Sequence, residues 1–406
     1  MTQEQALKIL KSRSNVFLTG EPGAGKTYTI NMFTDWLDAN GIIYAVTAST
    51  GIAASHINGA TIHSWSGIGI MKNLEQVDID GIRFNKFHYK RIIEARTLIL
   101  DEVSMLEASF IDDLDKVLRA IHKTQRPFGG IQVVMVGDFF QLPPVSRDGT
   151  ARFAFESQAW NDAGFQVCYL TEQHRQADPT FTDILRAMRF GSMTEEHHTV
   201  LRSRMSNGTA PTNLFTHNRD VDYMNTEKLN QLPGKEHVFK MTWSGRDFDV
   251  ATLKRNCLSP EVLVLKEGAV VMFTANKPDR GYVNGSVGVV EGFPNGVPKV
   301  KLTDGSYAYP EEYTWKAYDE KKNVKASIQQ LPLRLAWAIT VHKSQGMSLD
   351  AAVIDLSAAF EYGHGYVAIS RVRSLEGLHL AGVSDNAFKV NPKVLEQDKI
   401  FREIGV

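Results

Sequence analysis

Cysteine is almost missing from the 406 residues: Cys168 and Cys257 are the only two, which excludes a disulfide framework, a four-thiolate zinc site and a cysteine-held iron–sulfur cluster. An excess of one charge is missing too. Lys and Arg total 45 against 46 Asp and Glu, so no global positive field attracts a polyanion, and such binding has to use local grooves. No run of ~18 apolar residues is present to span a bilayer. The opening MTQEQALKIL lacks a charged start followed by an apolar signal core, so a reducing cytoplasm without a membrane partner is the expectation. Fixed-period repeats and low-complexity tracts are also lacking. What is there is a composition 43% hydrophobic, in a chain longer than one ordinary domain, which predicts two or three packed units.

Short apolar runs that end in Gly, Asp or Thr alternate with longer helical patterns: Asn15 to Thr19, Ile42 to Ala48, Thr97 to Asp101 and Gln132 to Gly137. That rhythm predicts an α/β fold with a buried parallel sheet and crossover helices, its functional loops at the carboxyl ends of the strands. It recurs at Leu214 to Thr216 and Ala351 to Asp355, which predicts a second α/β unit. From about Val283 to Lys325 the texture becomes rich in Gly, Pro, Val and Tyr, with turn signals at Asn284-Gly285 and Asp304-Gly305. A small antiparallel barrel inserted in the second unit is the expectation. Gly59 to Gly69 reads as the start of a protruding loop or hairpin in the first.

Gly20-Glu21-Pro22-Gly23-Ala24-Gly25-Lys26-Thr27 matches G-x-x-x-x-G-K-[ST] and lies between an apolar strand and a helical stretch, as phosphate binding requires. Gly23 and Gly25 let backbone amides turn toward phosphate oxygens, Lys26 reaches the outer phosphates of ATP, and Thr27 ligands Mg²⁺. Leu98 to Glu102 is an apolar strand with two carboxylates at its tip. Asp101 is expected to hold the metal through water, and Glu102 to orient or deprotonate the attacking water. An acidic pair after a strand is ordinarily only a helix cap; sharing a sheet with the phosphate loop is what favours the catalytic reading. Gln141, on the Pro-stiffened loop after Gly137-Asp138, is placed to sense the γ-phosphate. Arg175 and Arg371, in LTEQHRQ and YVAISRVRSLEGL, are placed to complete the phosphate site from elsewhere in the chain, although a helical arginine alone is more often a solvated one.

The ordered series GEPGAGKT, TASTGIAA (Thr47 to Ala54), TIHS (Thr61 to Ser64), LDEVSM, VGDFFQLPPV, LTEQHRQ, AITVHKSQGMSLD (Ala338 to Asp350) and YVAISRVRSLEGL resembles the motifs of superfamily 1B helicases nearly end to end. It is most similar to the petite integration frequency (Pif) family, whose signature segment is mirrored by Glu172 to Ser192. The resemblance implies two RecA/RecD-like P-loop domains with parallel sheets, an SH3-like β-barrel insertion and a short wedge loop. The corresponding boundaries are 1–168 for the first domain with a wedge at about 64–90, 169–282 with 331–406 for the second, and 283–330 for the insertion. It further implies ATP-driven 5′-to-3′ translocation on single-stranded DNA by a monomer, with duplex or G-quadruplex junctions as substrates and use on the nucleoid.

By the same resemblance Thr50, His63, Ser64, Thr216, Asn218, His342, Lys343 and Ser344 face the DNA backbone, and Gly346 joins the nucleotide site. Hydroxyls, amides and one Lys suit phosphate tracking without base reading. Trp65 offers a stacking face or, equally, a core aromatic. Gln3 occupies the position of the family's adenine-contacting glutamine, with Gln5 a rival. His197-His198 beside Glu195-Glu196 reads as a solvated helix surface rather than a metal site. Terminal targeting and docking appendages are expected to be missing. An RNA-directed helicase and a nucleotide-switched binding ATPase are the alternative functions, since the shared motifs touch mostly backbone.

Overall fold

Continuous apolar runs make strands covered on both faces, and the first sheet of the computed structural model is built from them. The structure describes residues 1–57, 59–69, 71, 73–144, 152–172, 178–205, 212–318, 324–345 and 347–405. Strands β1 (Val16–Gly20), β2 (Tyr44–Ala48), β3 (Ala60–Thr61), β4 (Thr97–Asp101), β5 (Gln132–Val136) and β6 (Gln166–Leu170) form one sheet in the order β3-β2-β4-β5-β1-β6. All its pairings are parallel, and Val16 stands opposite Val134 on one side and Gln166 on the other. Every residue of β1 and β5 is buried. Because β6 ends at Leu170 and pairs with β1 over its whole length, the expected boundary at 168 falls inside a strand and the first unit extends past it.

Helix α1 (Gln3–Lys11) precedes the sheet and α2 (Lys26–Ala39) follows β1; between β2 and β4 lie α3 (Gly51–His56), α4 (Ile62–Ser66), α5 (Gln76–Phe84) and α6 (Lys86–Glu94). The segment expected to protrude as a loop or hairpin is therefore a helical layer. The reason is its apolar spacing: Trp65, Ile68, Leu74, Ile79 and Ile82 are all buried in the core shared with α7 (Ala108–His122). Asp113 of α7 accepts from the Leu74 amide at 3.1 Å and fixes that layer.

The second unit has its own parallel sheet, ordered Ala338–Thr340, Asn213–Phe215, Ala352–Leu356, Leu378–Val383. Between Asn213–Phe215 with its following helix (Asn218–Gln231) and Ala338–Thr340 lies an antiparallel insertion whose strands run from His237 to Leu335. It starts well before the expected residue 283, a boundary that would separate Val270–Phe273 from its partner Val287–Gly292. The chain leaves and re-enters the second unit under one clamp. Buried Asn225 donates to the Ala338 carbonyl at 2.9 Å and accepts from the Ala338 amide at 3.0 Å.

The last helix, Pro392–Ile404, returns to the first unit. Its Phe401 packs against Phe17, Phe139, Phe155 and Trp160 with ring centroids 4.9 to 6.2 Å apart, and its Asp398 accepts from the Tyr169 hydroxyl at 3.1 Å. No described helix is long and apolar enough to cross a membrane.

Candidate nucleotide site and nucleic-acid interface

The phosphate loop leaves the carboxyl end of β1. Gly25 takes φ +84°, which favours glycine, and a Cβ there would lie 2.0 Å from Nε2 of Gln3 and displace that side chain from the loop. No side chain caps the start of α2, which leaves its first-turn amides and positive end free for an anion. Lys26 donates instead to the Gly20 carbonyl at 2.7 Å and the Glu21 carbonyl at 3.2 Å. Burial lowers its pKa from the usual lysine range, against the opposing charges of Asp138, Glu102 and Asp101. Gln3 donates to the Ala24 carbonyl at 3.4 Å, whereas Gln5 is occupied in a capping box with Thr2. Of the two glutamines, Gln3 is the one on the loop.

Strand β4 delivers Asp101 and Glu102. Glu102 adopts a left-handed conformation, φ 53° and ψ 44°, rare for a residue with a Cβ and characteristic of positions whose surroundings override local preference. Its amide donates to Asp101 Oδ1 at 2.9 Å, and its Oε2 accepts from Gln345 Nε2 at 2.9 Å. Burial, then the Asp101 charge, pushes the Glu102 carboxyl up to about 7. Burial likewise raises Asp101. A carboxyl near neutrality in a cleft is suited to accepting a proton.

These groups face one open cleft of about 500 Å³ lined by Gly23, Gly25, Lys26, Thr27, Glu102, Gln141, Ser348, Arg371 and Arg373. The first six come from the first unit and the last three from the second. Thr27 is exposed at the head of α2, and with Asp101 it offers hard oxygen donors of the kind Mg²⁺ prefers. Arg371 is buried, with Nε donating to the Val367 carbonyl at 2.9 Å and Nη2 to Ser370 Oγ at 2.9 Å. Arg175 and Gly346 lie outside the described residues.

Gln141 is held by a relay that the motifs alone do not reveal. Its Nε2 donates to Asp138 Oδ2 at 3.4 Å, Arg189 donates to that same oxygen at 2.5 Å, and Arg189 also donates to the hydroxyls of Tyr366 (3.2 Å) and Tyr169 (2.9 Å). Burial opposes the Arg189 charge, yet Asp138 and its neighbours hold the guanidinium above its usual range. The neighbouring Arg186 donates to Glu21 of the phosphate loop at 3.2 Å, so the helix Pro179–Phe190 touches both the loop and Asp138. Sequence reasoning missed Arg186, Arg189, Gln345 and the role of Asp138. Arg189 had a detectable signal: it falls in register with buried Phe181, Leu185 and Met188, where an apolar residue is expected.

The expected DNA-facing residues divide into two groups. Ser64 is exposed, while Thr50, His63, His342 and Lys343 are half-buried and reachable. Thr50 also accepts from the Ala53 amide at 3.2 Å to cap α3, and His63 lies 4.4 Å from the Phe110 ring with its pKa lowered by burial. Asn218 heads the helix Asn218–Gln231; its side chain is outside the described set. The other three need correction. Trp65 is 7% exposed and packs in the core, not on a stacking face. Ser344 is fully buried and its hydroxyl donates to the Val341 carbonyl at 2.7 Å. Thr216 is buried with its hydroxyl against His217 Nδ1 at 2.8 Å. A tight local turn aims the Ser344 hydroxyl at backbone, and the neighbouring imidazole takes that of Thr216. His197 is occupied by Asp183 (2.9 Å) and by its own helix cap, in keeping with a solvated helix surface.

A family model described as PIF1-like helicase matches residues 3–199. The ATP-dependent DNA helicase Pif1 of Psychrobacter sp. is 39% identical over all of this chain, which spans 71% of that relative's length and 62–63% of the vertebrate relatives. Among solved structures, Bacteroides sp. Pif1 in complex with ADP-AlF4 superposes with a TM-score of 0.86 at 29% identity, covering 99% of this chain and 97% of that one. Bacteroides Pif1 in complex with ADP-AlF3 and ssDNA does so with a TM-score of 0.70 at 28% identity, covering 99% and 96%. Two parallel sheets of the RecA type sharing one phosphate cleft, and a relative 39% identical along its full length, place the chain in the PIF1-like helicase family.

Proposed function

We infer that this chain is an ATP-dependent DNA helicase that translocates 5′-to-3′ on single-stranded DNA and separates duplex, acting as a monomer at forked or G-quadruplex junctions. The observation that carries the reading is the composition of the cleft: Lys26, Thr27, Glu102 and Gln141 come from one parallel-sheet unit and Arg371 from the other. A triphosphate bound there touches both units, so cleavage of its terminal bond changes what holds them together. Lys26 and the free amides of α2 bind the phosphates, Gln3, which donates to the Ala24 carbonyl of the loop, makes the adenine-side contact, and Glu102 accepts the proton of the attacking water. Thr27 and Asp101 would hold Mg²⁺, which would supply charge neutralisation at the phosphates. Thr50, His63, Ser64, His342 and Lys343 are the reachable polar groups for the phosphodiester backbone, three from the first unit and two from the second, which suits alternating grip.

The test is unwinding of duplexes bearing a 5′ or a 3′ single-stranded tail, with ATP and without it, with Lys26→Ala as the hydrolysis-dead control. Strand separation confined to the 5′-tailed DNA, requiring ATP and lost in Lys26→Ala, is expected. Equal activity on both tails, or preference for RNA tails, overturns it, as does an unimpaired Lys26→Ala protein.

A further inference from the structure

Three side chains with no role in the nucleotide cleft converge at the carboxyl ends of the second parallel sheet. His342 sits in the turn after Ala338–Thr340, and Glu361 and His364 flank the start of the helix His364–Ile369. One ligand atom from each lies within 4.8 Å of the others, the only such cluster among the described residues. His342 Nε2 and His364 Nε2 are each 4.0 Å from Glu361 Oε2, and the two rings stand edge to face with centroids 5.3 Å apart. His364 is completely buried, and neither of its ring nitrogens has a hydrogen-bond partner; nor has the buried Oε2 of Glu361. Buried polar atoms left unsatisfied are costly, and an ion held by His364 Nε2 and Glu361 Oε2 satisfies two of these three.

We propose that His342, Glu361 and His364 form a binding site for a divalent transition cation of the Zn²⁺ class. Two imidazoles and one carboxylate are a borderline donor set, suited to Zn²⁺ and its neighbours and unsuited to Mg²⁺ or Ca²⁺, which take oxygen. Burial lowers the pKa of His342, and with the His342 and His217 rings nearby it lowers His364 to about 4, which favours the neutral form that metals bind. Around a tetrahedral ion with Zn–N of roughly 2.0 Å, ligand atoms lie roughly 3.3 Å apart. Closing both 4.0 Å gaps requires Glu361, 20% exposed, to approach the two imidazoles, with His342, 31% exposed, turning to meet it. The same exposure gives the ion its entry path. Phe360 stands edge-on to His364 at 4.7 Å and lies 5.1 Å from the His217 ring. Three protein ligands leave a fourth position open toward solvent. The site is distinct from the Thr27–Asp101 donors and does not rest on the helicase reading, although it shares His342 with the proposed DNA contacts.

The test uses the metal-stripped full chain titrated with Zn²⁺ alone against a chromophoric chelator, followed by Co²⁺ as a spectroscopic reporter. One tight equivalent per chain is expected, with visible Co²⁺ bands of a four- or five-coordinate nitrogen–oxygen site. His342 and Glu361 are partly exposed, so His342→Ala and Glu361→Gln are expected to keep the fold, which circular dichroism checks. Each should weaken binding by about a hundredfold, since even outer-shell partners of a metal are worth about ten- to a hundredfold. Absence of a tight equivalent overturns the site. Binding unchanged in either variant overturns it as well, because the ion then lies elsewhere or lacks that ligand.

Discussion

Gln345 of the second unit donates a 2.9 Å hydrogen bond to the carboxylate of Glu102 in the first, although 243 residues separate them. Gln345 follows directly on His342-Lys343-Ser344, so a nucleic-acid contact at His342 or Lys343 and the carboxylate at the nucleotide are joined through one short turn. A hydrogen bond to a charged group is worth about 1.5–3 kcal/mol, roughly ten- to a hundredfold in an equilibrium. Gln345→Ala should therefore reduce the ratio of DNA-stimulated to DNA-free ATPase by about tenfold with little change in nucleotide affinity. An unchanged ratio in steady-state assays would refute the coupling.

Glu102 has its carboxyl raised to about 7, so it carries a proton below that pH and cannot take one from water. In the free protein the kcat/KM for ATP should fall about tenfold per pH unit as pH drops through 7 and level off above it. Glu102→Gln should lower kcat by about 10²–10⁴ and abolish that acid limb. A pH profile whose limb survives in Glu102→Gln assigns the limb to another group.

Arg371 lines the cleft from the second unit. An arginine that stabilises charge only in the transition state affects turnover and hardly affects ground-state binding. Arg371→Ala should lower kcat by about 10³ while nucleotide Kd moves less than about tenfold. Equal losses in the two quantities would make it a binding residue.

Arg189 and Asp138 form a pair buried on both sides, 1% and 0% exposed. Removing one partner leaves an uncompensated charge, which costs about 3–5 kcal/mol. Arg189→Met should move the urea-unfolding midpoint down accordingly, and Asp138→Asn with Arg189→Met should recover a large part. A single variant as stable as the parent would show that Asp138 finds another partner.

The strands β1, β2, β4 and β5 and the phosphate loop could be read from sequence because each rests on a local rule: uninterrupted apolar runs, then a fixed Gly-Gly-Lys-Thr spacing. What escaped depends on long-range approach. Nothing near Arg189 announces that Asp138, 51 positions earlier, will face it. The insertion begins at His237 rather than Val283 because its first strands are half-exposed, with Val238 at 50% and Trp243 at 55%, and carry no continuous apolar run. Trp65, Thr216 and Ser344 show a further limit. A motif fixes which residue stands at a position, but only packing fixes which way its side chain turns.

The return of the helix Pro392–Ile404 to the aromatic nest around Phe401 has a mechanical meaning. The chain crosses from the first lobe to the second after β6 and back before Pro392, so the second lobe is tethered at both its ends. A double tether limits how far the two lobes can separate, whatever occupies the cleft between them.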